Sequence, residues 1–259
     1  MFSKWAILVT CAVISACDAS YVDSLSKCSS NDEQCLKETI SKILKLTSES
    51  GAKEIDVPAL DPMILKNIEI SIINLLNITL EEAQLKGIKD CEVNSMHNDF
   101  AKGEMNLEVT CNVELKGKFS VSETSPFLQS FLGSNPVTID GNSKIQLEKL
   151  HINMQFFYHF IKKNDGNIYF KSHLDDFHYE YDIGNAKLSA DKILLGGKDA
   201  TQLVVDLFNQ NWKYIWKTFG KSVFDVVVPI LNDILYRFLE NVPANSYFSD
   251  DLTPYVKNE

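Results

Sequence analysis

The chain has 259 residues, 45% of them hydrophobic, with a formal charge of −10 from 25 Lys and Arg against 35 Asp and Glu. That length suffices for one large domain or two small ones around a substantial core. The acidic balance disfavours nucleic acid as a partner, because phosphate binding needs clustered Lys and Arg, and disfavours simple electrostatic attachment to anionic lipid.

Residues 1–4 supply a short basic region, and the apolar run 5–16 is too short to span a bilayer. Cys17, Asp18 and Ala19 put small residues where a signal peptidase reads, which predicts a signal peptide over 1–19 and a single secreted, extracellular domain over 20–259. A rival reading exists: Ile14-Ser-Ala-Cys17 also looks like a bacterial lipoprotein signal with Cys17 lipidated. Cleavage after Ala19 leaves Cys28, Cys35, Cys91 and Cys111. An even count in a secreted chain reads as two disulfides, with three pairings open. Metal binding is the weaker reading, since no Cys-x-x-Cys occurs and no His lies at zinc-finger spacing.

Residues 24–51 read as an amphipathic helix with Leu36, Ile40, Ile43, Leu44 and Thr47 on one face. Ser29, Ser30 or Asn31 can cap its start, Glu33 sits in the first turn, and Gly51 is its stop. A loop over 53–62, punctuated by Pro58 and Pro62, leads to strands. Ile68, Ile70 and Ile72 alternate with Glu69 and Ser71, and after Ile73 the phase slips to Leu76, Ile78 and Leu80. Asn77-Ile-Thr79 is the only N-glycosylation sequon; with Ile78 inward, Asn77 points outward, and a glycan is expected there. Met105, Leu107, Val109, Cys111, Val113, Leu115, Phe119 and Val121 alternate with polar residues, which is a long strand with one wet face.

Residues 126–136 form a break containing Phe127, Leu128, Phe131 and Leu132, a segment expected over one end of the domain. Ile139-Asp-Gly-Asn142 reads as a turn before a strand that starts with Ile145 and Leu147. Leu150, Ile152, Met154, Phe156, Tyr158 and Phe160 continue that strand in the opposite phase. Asn164-Asp-Gly166 is a hairpin signal, and Ile168, Phe170, Phe177, Tyr179, Tyr181 and Ile183 return, again with a change of phase. Repeated phase changes imply bulges, which bend and twist long strands. Leu188 and Ile193 lead out to Gly196-Gly197, which breaks the chain before the last helix.

That helix, residues 200–242, organises the fold. On a helical wheel Val204, Phe208, Trp212, Ile215, Trp216, Phe219, Val223, Val226, Val227, Ile230 and Ile234 share a sector, opposite Lys213, Lys217, Lys221 and Asp225. After Phe224 the apolar sector widens with Val228, Leu231, Leu235 and Leu239, so the helix must be surrounded rather than rested upon. Straight, it runs on the order of 60 Å. A kink is expected near Pro229 and a second bend near Gly220. Its charged residues leave no uncharged run of about 18 residues, so a transmembrane reading fails. The order helix, long antiparallel meander, longer helix is α+β, with a bent sheet wrapped round the final helix.

Signatures of chemistry are missing from the sequence. Gly133-Ser134 lacks the second glycine of a nucleophile elbow, no His-Glu-x-x-His occurs, and Gly196-Gly-Lys198 lacks the rest of a phosphate loop. His173 and His178 are ligand types close together, but on a strand they face opposite ways, and a solvated strand edge is the better reading. Tyr158, Tyr179 and Tyr181 can present hydroxyls to an apolar space, though ordinary aromatic strand packing is the simpler account.

Taken in order, several short motifs resemble the insect takeout family, that of the haemolymph juvenile hormone binding proteins. They are the signal peptide, Cys28-x6-Cys35 ahead of a helix, Val57-Pro-Ala-Leu-Asp-Pro62, Leu115-Lys-Gly-Lys118, Phe208-Asn-Gln-Asn-Trp212 and Asn241-Val-Pro243. Each is weak alone; their order and spacing are specific, and they cover nearly the whole mature chain. The resemblance implies a tubular lipid-binding fold, in which a strongly curved antiparallel sheet wraps the long C-terminal helix and leaves an apolar tunnel. It also implies a Cys28–Cys35 bridge and makes the lipoprotein reading of Cys17 unattractive. Leu194-Leu-Gly-Gly197 departs from the family's Leu-Phe-Asn-Gly loop, and Cys91 and Cys111 stand outside the family pattern. If the strands flanking 98–103 form a hairpin, Cys91 lies opposite Cys111 and Val93 opposite Val109, which predicts the second bridge.

The function so implied is a secreted, monomeric, non-catalytic carrier without cofactor or metal. It would hold juvenile hormone, another terpenoid or a fatty acid. One tunnel wall is Val204, Phe208, Trp212, Ile215, Phe219, Val223, Val226 and Ile230, and the other is Leu147, Ile152, Met154, Phe156 and Tyr158 with Phe177, Tyr179 and Tyr181. Two alternatives are a lipid esterase, which a serine-directed fluorophosphonate would label, and a protein-binding factor with a vestigial tunnel, which would release no lipid on extraction.

Overall fold

The computed structural model describes residues 25–72, 76–124, 137–172 and 177–257. The predicted signal peptide, the apolar segment 125–136, the phase slip at Ile73 and His173 lie outside them.

Helix α1 spans Glu33–Ser50, later than the expected start. Asp32 is its cap, accepting from the Cys35 N–H at 3.0 Å. The expected caps are otherwise employed: the Ser30 N–H and hydroxyl both donate to Asp250, and the Ser29 hydroxyl does so more loosely. A partner 220 residues away thus takes the capping groups from the helix. Gly51 ends α1 at φ 67°, as expected.

Strands β1 (Met63–Ile72), β2 (Leu76–Lys86), β3 (Glu92–Asp99), β4 (Glu104–Thr124), β5 (Val137–Lys162), β6 (Ile168–Ser172), β7 (His178–Leu195) and β8 (Lys198–Asp199) form the antiparallel sheet. Among the described residues the strand order is β1-β2-β4-β5-β7-β8, with β3 on β4 and β6 on β5. The spine is β4 and β5, and the neighbours of each share one of its edges in succession. β3 pairs with the first part of β4 and β2 with the second, while β7 pairs with most of β5 and β6 with its end.

Buried and exposed positions exchange phase along the long strands where bulges fall. In β5, Leu147 and Leu150 are both buried, with Glu148 and Lys149 exposed between them and Lys149 at φ 50°. Opposite, β7 changes phase at Gly184 and Asn185. The sequence Ile139-Asp-Gly-Asn142 is a second irregularity inside β5, not the expected turn. The register with β7 shifts there, Gly141 takes φ 86°, and Asp191 accepts from the Asn142 N–H. Turn chemistry and bulge chemistry both need positive φ, so the residues look alike in sequence. On β4, Gly117 admits a tightly crowded β2, since a Cβ there would lie 2.2 Å from the Glu82 carbonyl oxygen and 2.5 Å from Ala83 Cα.

Helix α2 spans Thr201–Asn241. Its departure from helical dihedrals is at Asn211 (φ −120°, ψ 16°), whereas Gly220 and Pro229 remain helical, contrary to expectation. The Asn211 side chain donates to the Leu207 carbonyl at 2.8 Å and so satisfies a group the break disturbs. Two residues earlier, Asn209 clasps the β7 backbone, accepting from Leu188 N–H and donating to Leu188 O. Both asparagines belong to Phe208-Asn-Gln-Asn-Trp212, which gives that short motif a mechanical role.

The backbone of α2 runs close to β7, β1 and β6 and stands off from the central strands β2, β4 and β5. In the sheet order β1 and β7 are four strand spacings apart, roughly 19 Å if flat. One helix, about 10–12 Å across with its side chains, can approach both only if the sheet curls round it. The expected architecture is therefore present: a strongly curved antiparallel sheet wrapped on a long C-terminal helix, with an N-terminal amphipathic helix beside β3.

Both predicted disulfides are present, Cys28–Cys35 and Cys91–Cys111. Val93 pairs with Val109 as the hairpin symmetry required, and a bulge follows between Val93 and Ser95. The last residues return to the lead-in of α1: Cys28 N–H donates to Tyr247 O, and Ser249 N–H to Cys28 O. No helix among the described residues is long and apolar enough to cross a membrane.

Candidate functional site

The space to consider lies between α2 and the concave face of the sheet. On the helix, Trp216, Gly220, Phe224 and Val228 are buried and lie four apart, so they form one row. Of the eight wall residues expected from sequence, Val204, Phe208 and Trp212 continue this four-residue spacing toward the N-terminus, and the other five lie on its flanks. Val204, Phe208, Trp212, Ile215, Phe219, Val223, Val226 and Ile230 are all half-buried. Phe208, Trp212 and Val223 pack on the main core. Phe219 and Val226, again with Val223, pack on the cluster of Ile70, Leu80 and Phe119, and Ile230 packs on that of Met63 and Leu65. Val204 and Ile215 join none of these clusters. Six of the eight therefore touch core and still keep accessible surface.

On the facing strands Leu147, Ile152, Phe156 and Tyr158 are buried, whereas Met154, Phe177, Tyr179 and Tyr181 are half-buried. Ile152 pairs with Tyr181 and Met154 with Tyr179, so these residues share one stretch of the concave face. The ring of Tyr181 stacks on Phe224 at 4.0 Å between centroids, and Trp216 tilts against the same ring at 5.8 Å. Gly220 permits this crowding: a Cβ there would come within 2.6 Å of the Trp216 ring and 2.7 Å of the Tyr181 hydroxyl. Close approach, not backbone looseness, is what a glycine supplies at 220.

The three tyrosines have different fates. Tyr158 donates to Asn98 Oδ1 at 2.6 Å inside an aromatic cluster. Burial, with Asp99 contributing less, pushes its hydroxyl far above the usual tyrosine range. Tyr179 donates to Asp225 Oδ1 at 2.6 Å, and Asp225 also receives Lys221 Nζ at 2.6 and 2.8 Å. Lys221 first, and Tyr179 second, hold the Asp225 carboxyl below its ordinary value, while burial and then Asp225 raise Tyr179. This triad pins β7 to the outer side of α2. Tyr181 is raised mainly by burial, and its hydroxyl has no hydrogen-bond partner among the described residues.

The sequence reading missed the weight of the row 216–220–224–228, although its four-residue spacing was visible. It also missed the Lys221–Asp225–Tyr179 link, for which sequence offers only the i, i+4 charge pair. Asn77 lies in β2, paired with Ser71 and half-buried. His178 is exposed in β7 with its ring edge-on to Phe157. Among the described residues no three His, Cys, Asp or Glu gather as a metal site.

Aromatic and aliphatic side chains facing one another between a helix and a curled sheet offer burial and shape for an apolar guest. No curated protein matches the sequence. The crystal structure of Epiphyas postvittana Takeout 1 has the same fold, with a TM-score of 0.74 at 22% identity, over 87% of this chain and all of that one. A sequence model described as haemolymph juvenile hormone binding protein matches residues 6–249. The chain is a member of the haemolymph juvenile hormone binding protein family.

Proposed function

We propose that the chain is a secreted carrier, made with a signal peptide over residues 1–19, that holds one small hydrophobic molecule between α2 and the concave sheet. Juvenile hormone, another terpenoid or a fatty acid fits the chemistry of the walls. The carrier catalyses nothing and acts as a monomer, with a glycan on Asn77 in the native host. The observation that carries this reading is the inward side of α2: six apolar side chains that pack on core clusters yet remain only half-buried. The helix backbone also stands off from β2, β4 and β5, so the middle of the curl must be filled by long side chains or by a guest. Removal of a guest's apolar surface from water supplies affinity at roughly 25 cal/mol per Å². The family description points the same way. The test is solvent extraction of protein purified from its native fluid, followed by mass spectrometry. Release of a stoichiometric lipid or terpenoid is expected; repeated extraction that yields none, together with failure of the emptied protein to take up a fluorescent fatty acid, would overturn the reading.

A further inference from the structure

On the face of the sheet turned away from α2, charge is segregated. Strand register places three rows side by side. The first is Lys66–Glu82–Lys118 across β1, β2 and β4. The second is Ile64–Gln84–Lys116–Lys144–Ser189 across β1, β2, β4, β5 and β7. The third is Lys86–Glu114–Gln146–Lys187 across β2, β4, β5 and β7. Leu65, Ala83, Leu85, Gly117 and Leu147, at alternate positions of the same strands, are buried, so the rows point to solvent. Six lysines thus stand against Glu82 and Glu114, in a chain whose formal charge is −10. The rows cover about 19 by 14 Å at ordinary sheet spacings.

Both glutamates are engaged. Lys66 Nζ lies 3.9 Å from Glu82, and Lys144 Nζ lies 3.5 Å from Glu114, which also accepts from Gln146. Lys86, Lys116, Lys118 and Lys187 have no carboxylate partner among the described residues. At the border, Asp191 accepts from the Asn142 N–H and Glu148 from Asn185. Farther along the same face the sign reverses: Glu92, Glu104, Glu108, Glu180 and Asp182 share rows that hold no lysine among the described residues. Lys116 and Lys144 are directly opposed, which repels and destabilises the pair. Glu114 beside Lys144 offsets part of that, and a bound anion would offset the rest.

We infer that this lysine-rich face docks a sulfated polysaccharide. Only the extracellular setting is taken from the carrier reading; the face lies outside the tube and needs no guest within it. A linear polyanion presents sulfates at intervals and engages several lysines at once, each contact releasing counterions. Gln84, Gln146 and Ser189 stand among the lysines and match the hydroxyls of a saccharide. Nucleic acid fits less well, because no aromatic side chain on these rows offers a base a stacking surface. A bilayer also fits less well: in these rows Ile64, 47% exposed and at the border, is the one large apolar group available to insert.

The test is binding to immobilised heparin, with neutral dextran as blank, by three proteins. They are the parent, the triple variant Lys86→Gln, Lys116→Gln, Lys118→Gln, and a control that loses the same charge elsewhere, Lys53→Gln, Lys217→Gln, Lys257→Gln. All six side chains are exposed, so both variants should fold, as circular dichroism will verify. The parent is expected to bind heparin at about 0.05 M salt and to be released as salt rises. The first variant should bind at least ~tenfold more weakly, with the log–log salt slope reduced by about 2–3, and the control should change less than ~threefold. A parent that passes heparin as it passes dextran, or equal losses in the two variants, would overturn the docking face. Binding of the parent to phosphatidylserine vesicles or duplex DNA without binding to heparin would overturn it in favour of those partners. Uptake of a fluorescent fatty acid by the parent is measured separately, so a failed docking face and a failed carrier are told apart.

Discussion

Two aromatic-rich regions of one core are packed in opposite ways. Beside α1, Phe100, Tyr158, Phe160, Phe170, Tyr247 and Phe248 are all buried and meet ring to ring. Tyr158 and Phe170 are 4.5 Å apart between centroids, Phe160 and Phe170 4.8 Å, and Phe100 and Phe248 5.0 Å. Along α2, Phe208, Trp212 and Phe219 have similar chemistry, yet each stays half-buried. The difference lies in what closes each region. The first is closed by the C-terminal segment, which pairs with Cys28 and with Phe160, and that lead-in is tied to α1 by Cys28–Cys35. The second is spanned only by a sheet that approaches the helix at its outer strands. Apolar composition drives collapse in both; the backbone distance decides whether side chains can complete it.

The filled region should be the sensitive one. Phe170→Ala is expected to cost ~3–5 kcal/mol in chemical denaturation, because rings on several sides prevent collapse into the cavity. Phe219→Ala should cost less than ~2 kcal/mol, since its ring is only half-buried to begin with. Equal losses for the two would erase the contrast.

Next in size is Gly220→Ala. Helix propensity alone favours alanine by about 1 kcal/mol. The new methyl would meet the Trp216 ring and the Tyr181 hydroxyl, so a net loss of ~1–3 kcal/mol is expected in thermal unfolding. A net gain would mean that the row of α2 yields freely and that the crowding there is unimportant.

Asp225→Asn probes the outer latch between β7 and α2 and should have the smallest effect. The carboxyl is about half exposed, so ~0.2–1 kcal/mol is expected at neutral pH. Its pKa is depressed in the folded state, chiefly by Lys221 and then by Tyr179. A depressed carboxylate contributes stability above its unfolded-state pKa, and that contribution disappears as pH falls through the folded value. The gap between parent and variant should therefore be present above about pH 4 and close below it. A gap that persists or widens in acid would contradict this assignment.

Much of the architecture was legible because its signals are local. The alternation from Met105 to Val121 and the Asn164-Asp-Gly166 hairpin appear as read, and the positions symmetric about residue 101 bring Cys91 to Cys111. What failed depends on distant partners. The start of α1 moves to Asp32 because Asp250 claims Ser29 and Ser30. The break in α2 falls at Asn211, where Asn209 is held by Leu188, and not at Pro229, which the helix tolerates on an exposed face. The candidate site was legible only as a stripe. Periodicity chose the right side of α2, but which positions of the stripe are buried depends on how far the sheet curls, and that follows from paired bulges on neighbouring strands.

The central claim is that the flank of α2 borders room for a guest, and Val223 tests it most directly because it packs on two core clusters and is still half-buried. Val223→Trp should be examined in parallel for thermal unfolding without ligand and for binding of a fluorescent fatty acid. A bulky ring pointed into open space is predicted to abolish or strongly weaken binding while changing stability by less than ~1 kcal/mol. Loss of ~1–3 kcal/mol by overpacking, in a protein whose parent never takes up the probe, would show a solid core and contradict the account.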